Sequence, residues 1–232
     1  MANNRNYKNT CATFLGEVAC FDLLSDDEKA FVEQNSVEIT YKKGETICKQ
    51  GTFASNIILL EEGLVKSYIE GNPRNLILTI TPPGRMIGLP SIFEGNNTFL
   101  YSVSTYIDSR VKLIDINVFK QIIRQNAPFA SKIIDILNEN TSQTYGRFYC
   151  LVSKQLHGRL ADILLCLAQR IFKSDSFDLP LSRNDLAELT GMSTESVIRI
   201  MKDFKDEGYL AVSGKNITLV DPDKLQRISE IG

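Results

Sequence analysis

The sequence predicts an α+β protein with two domains joined by a long helix: a barrel or jelly roll in the N-terminal half and a winged helix-turn-helix at the C-terminal end. In the first half, short runs of β-branched residues alternate with glycines, a pattern typical of consecutive short strands. The last third contains two short amphipathic segments separated by a glycine, followed by two strand-like runs. A length of 232 residues suffices for one large and one small domain, each with its own core.

Glycines divide the N-terminal half into short strands. They stand at candidate turns, which are Gly44, Gly51, Gly63, Gly71, Gly84 and Gly88. Segment 56–60 reads Asn-Ile-Ile-Leu-Leu and segment 76–80 reads Leu-Ile-Leu-Thr-Ile. Because glycine accepts the backbone conformations of tight turns and β-branched residues favour strands, we expect several strands at near-regular spacing.

A long helix is predicted over residues 128–153, where no turn signal is stronger than Gly146. Apolar or small side chains recur there at helical spacing on one stripe, formed by Ile133, Leu137, Asn140, Thr144, Phe148 and Leu151. Such a stripe either packs on the chain's own β domain or pairs with the same helix of a second subunit. In a paired helix, Asn140 would specify the register at some cost in stability.

Segment 181–207 predicts two helices joined by a tight turn. Ser182 can cap the first helix, whose apolar side chains face inward. Gly191 can adopt the left-handed conformation that ends this helix, and Ser193 is the N-cap candidate of the second, which runs to about Glu207. This arrangement is a helix-turn-helix, a motif that places its second helix in the major groove of DNA.

The second helix presents a polar face opposite its apolar one. The outward residues are Thr194, Glu195, Ile198, Arg199 and Lys202. Arg199 can read guanine O6 and N7 with two hydrogen bonds, and Glu195 can accept from cytosine N4, so the two side chains could read one G·C pair. The alternative interpretation is a solvated ion pair between residues i and i+4.

Further DNA contacts are predicted on either side of this helix. Segments 208–212 and 217–220 read as strands joined by a tight turn. Lys215 at the tip of this wing and Arg183 at the start of the first helix are placed to meet phosphates, which fix register without reading sequence. The full candidate set is Ser182, Arg183, Asn184, Ser193, Thr194, Glu195, Ser196, Ile198, Arg199, Lys202 and Lys215.

Three further segments accompany these elements: Gly158-Arg159-Leu160-Ala161 upstream, Gly214-Lys215 in the wing and Gly44-Glu45-Thr46-Ile47 in the N-terminal half. Together they resemble the Crp/Fnr family of bacterial transcription regulators. The resemblance implies a double-stranded β-helix, or jelly-roll, sensor domain of the cyclic-nucleotide-binding type over residues 1–127. It further implies a dimerisation helix over 128–153 and a winged helix-turn-helix over 154–232. Pairing of the long helix in a homodimer is therefore favoured, since palindromic DNA requires a two-fold symmetric protein. RNA polymerase and a small-molecule effector are the other partners implied.

The resemblance also implies a DNA half-site. Family members place an arginine or a smaller residue before a glutamate, and an arginine four positions after it; here these are Thr194, Glu195 and Arg199. The retained pair implies inverted repeats with a TGA-like core. Because Thr194 stands where some members have an arginine that reads a further guanine, we expect a half-site closer to TTGA than to TGTGA.

The segment that corresponds to the family's phosphate-binding cassette departs from the pattern of cyclic-AMP-binding members. That pattern has a Gly-Glu pair and a later Arg-Ser pair, whereas this chain has Gly88-Leu89 and Phe99-Leu100. A buried cyclic phosphate would lack charge-assisted hydrogen bonds there. We therefore expect an effector other than cyclic AMP, with a candidate pocket of Gly88, Leu89, Phe99, Leu100, Tyr101, Thr144 and Tyr145. The alternative is that Leu89, Phe99 and Leu100 simply fill the core.

Cysteine and histidine offer an alternative sensing chemistry, redox or haem-based gas sensing. The five cysteines contain no Cys-x-x-Cys, so no iron–sulfur cluster is expected, and no other cofactor is assigned. Cys11 and Cys20 are the redox candidates, whereas Cys166 in an apolar run is interpreted as a small core residue in a mostly reduced protein. His157, the only histidine, is a candidate haem ligand, although a polar cap or surface position is the more common role.

Composition limits the remaining functions. The formal net charge is −2 and the sequence pI is about 5.6, whereas a nucleic-acid-binding protein is usually basic. Binding must then depend on a local patch, for which Arg183, Arg199, Lys202, Lys205 and Lys215 are candidates. The opposing hypothesis is a β-roll ligand-binding or interaction module without DNA binding.

Enzymatic activity and membrane association are not expected. No arrangement typical of a catalytic or metal site occurs in the sequence. No apolar run approaches the roughly 20 residues that span a bilayer, and the polar residues 1–6 do not resemble a signal peptide. The sequence therefore predicts a cytoplasmic protein.

Overall fold

The computed structural model describes residues 20–231, and the predictions for residues 1–6 and Cys11 lie outside that range. The described chain divides into two compact units. The roll unit comprises residues 20–70 and 80–141, and the winged unit comprises residues 71–79 and 142–231.

The elements follow one another along the chain as predicted in outline. The helices are α1 (Asp26–Gln34), α2 (Ile116–Gln125), α3 (Ala127–Ser153), α4 (Leu156–Cys166), α5 (Arg183–Thr190), α6 (Thr194–Asp206) and α7 (Pro222–Ile231). The strands are β1 (Ser36–Tyr41), β2 (Thr46–Cys48), β3 (Asn56–Glu62), β4 (Val65–Ile69), β5 (Leu76–Thr81), β6 (Arg85–Ile87), β7 (Ser102–Thr105), β8 (Ser109–Asp115), β9 (Ser176–Asp178), β10 (Leu210–Ser213) and β11 (Asn216–Leu219). A π-helical turn, Leu167–Phe172, extends α4.

The N-terminal strands form two four-stranded sheets, which confirms the predicted β-roll. Their strand orders are β1-β8-β3-β6 and β2-β7-β4-β5. Both predicted runs, 56–60 and 76–80, are strands. Side chains from the two sheets meet in one apolar cluster of Cys48, Ala54, Ile58, Leu60, Val65, Ile87, Phe99, Val103 and Val111. Alternation of inward and outward side chains along each strand produces this shared interior.

Glycine is required at the β3–β4 turn by both conformation and space. Gly63 has φ +105°, and a Cβ built on it would lie 2.1 Å from Ser109 Oγ. No L side chain fits such a close approach of two backbones.

Helices cover the outer side of the first sheet. A capping box between Ser25 and Glu28 starts α1, and Asp115 caps α2 by accepting from the backbone N–H groups of Asn117 and Val118. The second apolar cluster joins Ile57 and Ile114 of the sheet to side chains of these helices and of α3. The first half of α3 is therefore part of the roll's own core.

The two faces of α3 differ from the prediction. Ile133 is 2% exposed and lies in the roll cluster, against which Leu137 also packs. Ile134, one position after Ile133, is 57% exposed, and Phe148, which belongs to the predicted stripe, is 68% exposed. The predicted stripe with Ile133 and Leu137 as an intersubunit seam is therefore wrong for these two residues. A helix of this length has two apolar faces, and the sequence pattern alone mixes them.

The C-terminal elements form the predicted winged helix-turn-helix. Helices α4 to α7 pack around an apolar centre that includes Leu164, Leu189 and Ile200. The hairpin of β10 and β11 is the wing, with Gly214 at φ +61° in its turn. Strand β9, which the sequence did not predict, pairs with β11. Within residues 20–231, no helix combines the length and apolar content needed to cross a bilayer.

Two isoleucines on α6 test this packing. Ile200 is fully buried, whereas Ile198 is 54% exposed. Ile200→Ala should lower the free energy of unfolding by about 2–5 kcal/mol because it leaves a cavity, and Ile198→Ala should change it by less than about 0.5 kcal/mol. Denaturant titration of the two variants measures the difference; equal effects would contradict the assigned orientation of α6.

Candidate nucleic-acid interface

Local capping groups fix both helices of the helix-turn-helix. The hydroxyl of Ser182 accepts from the backbone N–H of Asp185, and the Asp185 carboxylate accepts from the N–H of Ser182. Gly191 ends α5 at φ +64°, and Ser193 caps α6 by accepting from the N–H of Ser196. These groups satisfy backbone donors that the helix itself leaves unpaired.

Three arginines hold the end of α5 and the following turn. Arg147 of α3 donates to the carbonyl of Leu189, and Arg159 of α4 donates to Thr190 O at 3.4 Å. Arg74 donates to Met192 O at 2.6 Å. Because the C-terminal end of a helix has unpaired carbonyls and a partial negative charge, cationic donors stabilise it.

Helix α6 exposes the predicted reading face. Glu195, Ile198, Arg199 and Lys202 are exposed, while Val197, Ile200, Met201 and Phe204 are buried. Hydrogen bonds from its own backbone N–H and from Ser193 lower the pKa of Glu195, so it is an ionised acceptor at neutral pH. Within the described part of the chain, no ion pair of 4.0 Å or less joins Glu195 to Arg199. The solvated ion pair of the alternative interpretation is therefore not formed.

The flanking candidates occupy the two edges of this face. Thr194 Oγ1 donates to Asn184 Oδ1 at 3.5 Å, which joins α6 to the first turn of α5. Lys215 is exposed at the tip of the wing. Arg183 is half-buried, and burial lowers its pKa. The serines at 182, 193 and 196 serve in the caps, so their hydroxyls position helices in this structure.

In the roll, the predicted pocket residues separate into three groups. Gly88 lies beside Phe99, where a Cβ on Gly88 would be 3.0 Å from the ring, and its N–H donates to the Tyr101 hydroxyl at 3.2 Å. Leu89 is 1% exposed and belongs to the helix-side cluster. Leu100 is 49% exposed. Leu89 and Phe99 therefore fill the core, and Leu100 does not line the interior.

The α3 residues of the predicted pocket lie on its exposed face. Thr144 is exposed and Tyr145 is 70% exposed. The buried face of this part of the helix carries Gln143 and Arg147. Asn140 and Leu151 are partly buried.

Three of the four described cysteines are buried free thiols. Burial raises the pKa of Cys20 to about 11, of Cys48 to about 12 and of Cys150 to about 11, so these thiols are protonated and poorly reactive at neutral pH. Cys166 is buried as expected, but it is disulfide-bonded rather than reduced. His157 lies 3.4 Å from the Asp203 carboxylate.

Sequence reasoning missed Gln143, Arg147 and Arg74. The signal available for the first two was their spacing, because positions 143 and 147 fall on the same helical stripe as Ile133 and Ile136. Large polar side chains on an otherwise apolar stripe interrupt the hydrophobic pattern, and such interruptions are most often found at functional sites. For Arg74, in the β4–β5 connection, no local signal exists.

Comparisons with known proteins agree with this architecture. Residues 38–126 match the model of the cyclic nucleotide-binding domain, and residues 158–228 match that of the Crp-like helix-turn-helix domain. Together the two models cover more than half of the chain.

Two curated relatives match most of the chain. The chain is 26% identical over 195 residues to a CRP-like cAMP-activated global transcriptional regulator of Mycobacterium tuberculosis, covering 82% of this chain and 86% of the relative. It is 25% identical over 194 residues to the fumarate and nitrate reduction regulatory protein of Escherichia coli, covering 81% and 76%. The structure of FixK2 from Bradyrhizobium japonicum superposes with a TM-score of 0.76 at 22% identity, covering 83% and 96%, and so shares the fold. The chain belongs to the Crp/Fnr family of transcription regulators.

Proposed function

We propose that this regulator acts as a cytoplasmic homodimer that reads inverted repeats with a TGA-like core through α6 and recruits RNA polymerase or excludes it. Its effector is a small molecule other than cyclic AMP. No catalytic step is assigned to the chain.

The observation that carries the proposal is the exposed set of Glu195, Arg199 and Lys202 on α6, none of which forms an ion pair within residues 20–231. Their spacing places three reading groups on successive turns of one helix face. A charged side chain without an ion-pair partner is available for base edges or phosphates at no cost of breaking an ion pair. Arg199 matches guanine in the major groove, and Glu195 matches the cytosine amine.

Local charge compensates for the acidic composition. Arg183, Arg199, Lys202 and Lys215 stand on α5, α6 and the wing, elements that contact DNA together in winged helix-turn-helix proteins. Because phosphate contacts act over less than a Debye length of about 8–10 Å, a patch of cations supports binding even when the net charge is −2.

A dimer seam on the outer face of α3 accounts for its exposed apolar residues. The outer face comprises Ile134, Asn138, Thr141, Tyr145, Phe148 and Val152, all exposed. Their alternating steps of four and three residues form a heptad pattern, in which a polar residue such as Asn138 sets the register. This face replaces the sequence-predicted stripe as the proposed interface; Phe148 is common to both.

The roll supports an effector other than cyclic AMP. One relative is described as cAMP-activated, which makes cyclic AMP the first ligand to test. In this chain Leu89 and Phe99 are 1% and 7% exposed within apolar clusters. A cyclic phosphate placed there would lose its water without gaining a cationic partner.

The first prediction concerns the DNA code. Selection from random duplexes should recover inverted TGA-core repeats, closer to TTGA than to TGTGA, with half-site centres about one helical turn apart. Arg199→Ala should abolish selection of the inner guanine, at a cost of about 1–3 kcal/mol of discrimination. Unchanged preference in this variant would refute α6 as the reading helix.

Two controls separate reading from charge. Arg199→Lys keeps the charge but loses the bidentate fork, so it should lose guanine selection and keep most of the salt dependence of binding. Lys215→Ala should weaken binding to all sequences alike and reduce the salt slope by about 1.

The second prediction concerns the dimer. Phe148→Glu should raise the dimer dissociation constant by about 30-fold or more, the effect of a central interface residue worth about 2 kcal/mol. Ser153→Glu is the control, since Ser153 is exposed on α3 but outside the outer face. Sedimentation equilibrium measures both. A Phe148→Glu protein that stays folded and dimeric would place the interface elsewhere.

The third prediction concerns cyclic AMP. A ligand present at about 100 times its Kd stabilises the native state by about 2.7 kcal/mol, a shift readily seen in thermal unfolding. Millimolar cyclic AMP should leave both the melting temperature and the DNA affinity of this protein unchanged, with the Mycobacterium tuberculosis relative as positive control. A saturable thermal shift would overturn the interpretation of Leu89 and Phe99.

A further inference from the structure

Two polar side chains are buried on one face of α3 without complete partners. Gln143 is 3% exposed and Arg147 is 6% exposed, and they lie four residues apart, on successive turns. Neither the oxygen nor the nitrogen of the Gln143 amide has a hydrogen-bond partner among the described residues, and the same is true of Arg147 Nε and Nη1.

One guanidinium nitrogen of Arg147, Nη2, contacts the helix-turn-helix. Nη2 donates to Leu189 O at the end of α5 and, at 3.4 Å, to Ile77 O. Both acceptors belong to the winged unit, as do Gln143 and Arg147. The arginine therefore connects the buried face of α3 to the first helix of the DNA-binding motif.

No carboxylate compensates the Arg147 charge at close range. Within residues 20–231, no Asp or Glu oxygen lies within 4.0 Å of its guanidinium. Burial lowers the pKa of Arg147, and it outweighs the opposing effects of the Cys150 side chain, which also contacts the guanidinium through a hydrogen bond, and of Asp162. The Asp162 carboxylate is already occupied by Lys154 at 2.9 Å and by Ser229 at 3.0 Å.

The chemical complement of the Gln143 amide and the Arg147 guanidinium is an anion with several oxygen acceptors. A buried cation is expensive unless an anion pairs with it, and unpaired N–H donors add to that cost. The guanidinium offers N–H donors suited to carboxylate or phosphate oxygens. The adjacent amide can donate to the same oxygens or accept from a hydroxyl of the ligand.

We propose that Gln143 and Arg147 form a binding site for a small oxyanion, a carboxylate or phosphate group of a metabolite, within the winged unit. The inference rests on the proposed function, because it supplies the chemical class of the effector. An anion bound to Nε and Nη1 pairs with the charge of the same guanidinium that donates to Leu189 O, and it shifts the position of that guanidinium. Binding therefore alters the support of α5 and, through the turn, the presentation of α6.

The test uses the full-length protein and two probes, inorganic phosphate and malonate, titrated against chloride at constant ionic strength. Thermal unfolding and DNA affinity are measured for the wild type, Arg147→Gln and Gln143→Leu. Arg227→Gln is the matched control, because it removes an exposed arginine from α7 of the same unit, outside the proposed site.

We expect a saturable rise of the melting temperature with at least one probe and a change in DNA affinity of about fivefold or more. Both responses should be lost in Arg147→Gln and in Gln143→Leu and kept in Arg227→Gln. The probe that acts distinguishes a phosphate ligand from a carboxylate ligand. If Arg147→Gln fails to fold, Gln143→Leu decides.

Other outcomes overturn the inference. These are no response of the wild type to either probe, a response that persists in both site variants, or a response also lost in Arg227→Gln, which would assign it to the general charge of the unit. Failure of the proposed function is recognised separately. It appears as a lack of binding to inverted repeats both with and without anion, whereas the thermal shift reports whether the anion binds.

Discussion

The DNA-binding unit depends on hydrogen bonds from arginine side chains to the end of α5 and to the turn that follows it. Leu189, Thr190 and Met192 each offer a carbonyl oxygen, and each receives a guanidinium N–H from a different part of the chain. The end of a helix has unpaired acceptors and partial negative charge, so these donors satisfy the backbone where the chain must turn. The direction in which α6 leaves that turn is set by them together with the left-handed Gly191.

This support has a cost that apolar side chains would avoid. Arg147 is almost fully buried, and burial disfavours its charged form. Leu189 O gains a hydrogen-bond partner. Two other nitrogens of the same guanidinium have no hydrogen-bond partner among residues 20–231. A fold selected only for stability would place a Leu or Met there, since apolar groups of similar size are often neutral or stabilising in place of buried ions. The position is therefore best understood through function, as local rules are most often broken at functional sites.

In the roll, the family fold is kept while the polar groups of the family's ligand site are absent from the corresponding segment. Its two sheets and apolar interior are those of the family, yet Leu89 and Phe99 stand in the segment where cyclic-AMP-binding members have ligand groups, and both are buried in apolar clusters. A fold persists when its interior remains apolar and well filled, whereas a ligand site depends on a few charged groups. The family resemblance therefore transfers to the architecture of this domain more securely than to its ligand.

Local patterns in the sequence determined the strands at 56–60 and 76–80, the long helix, the wing and the capped helix-turn-helix, because caps and hydrophobic periodicity involve residues only a few positions apart. Only the tertiary structure decided which apolar face of α3 is covered: Ile133 and Ile134 are adjacent in sequence, and the choice depends on contacts with the roll. The same holds for Arg147 and Leu189, which are 42 positions apart, and for strand β9 beside β11. Such partners are brought together by packing of the whole unit, so no short segment contains the information that predicts them.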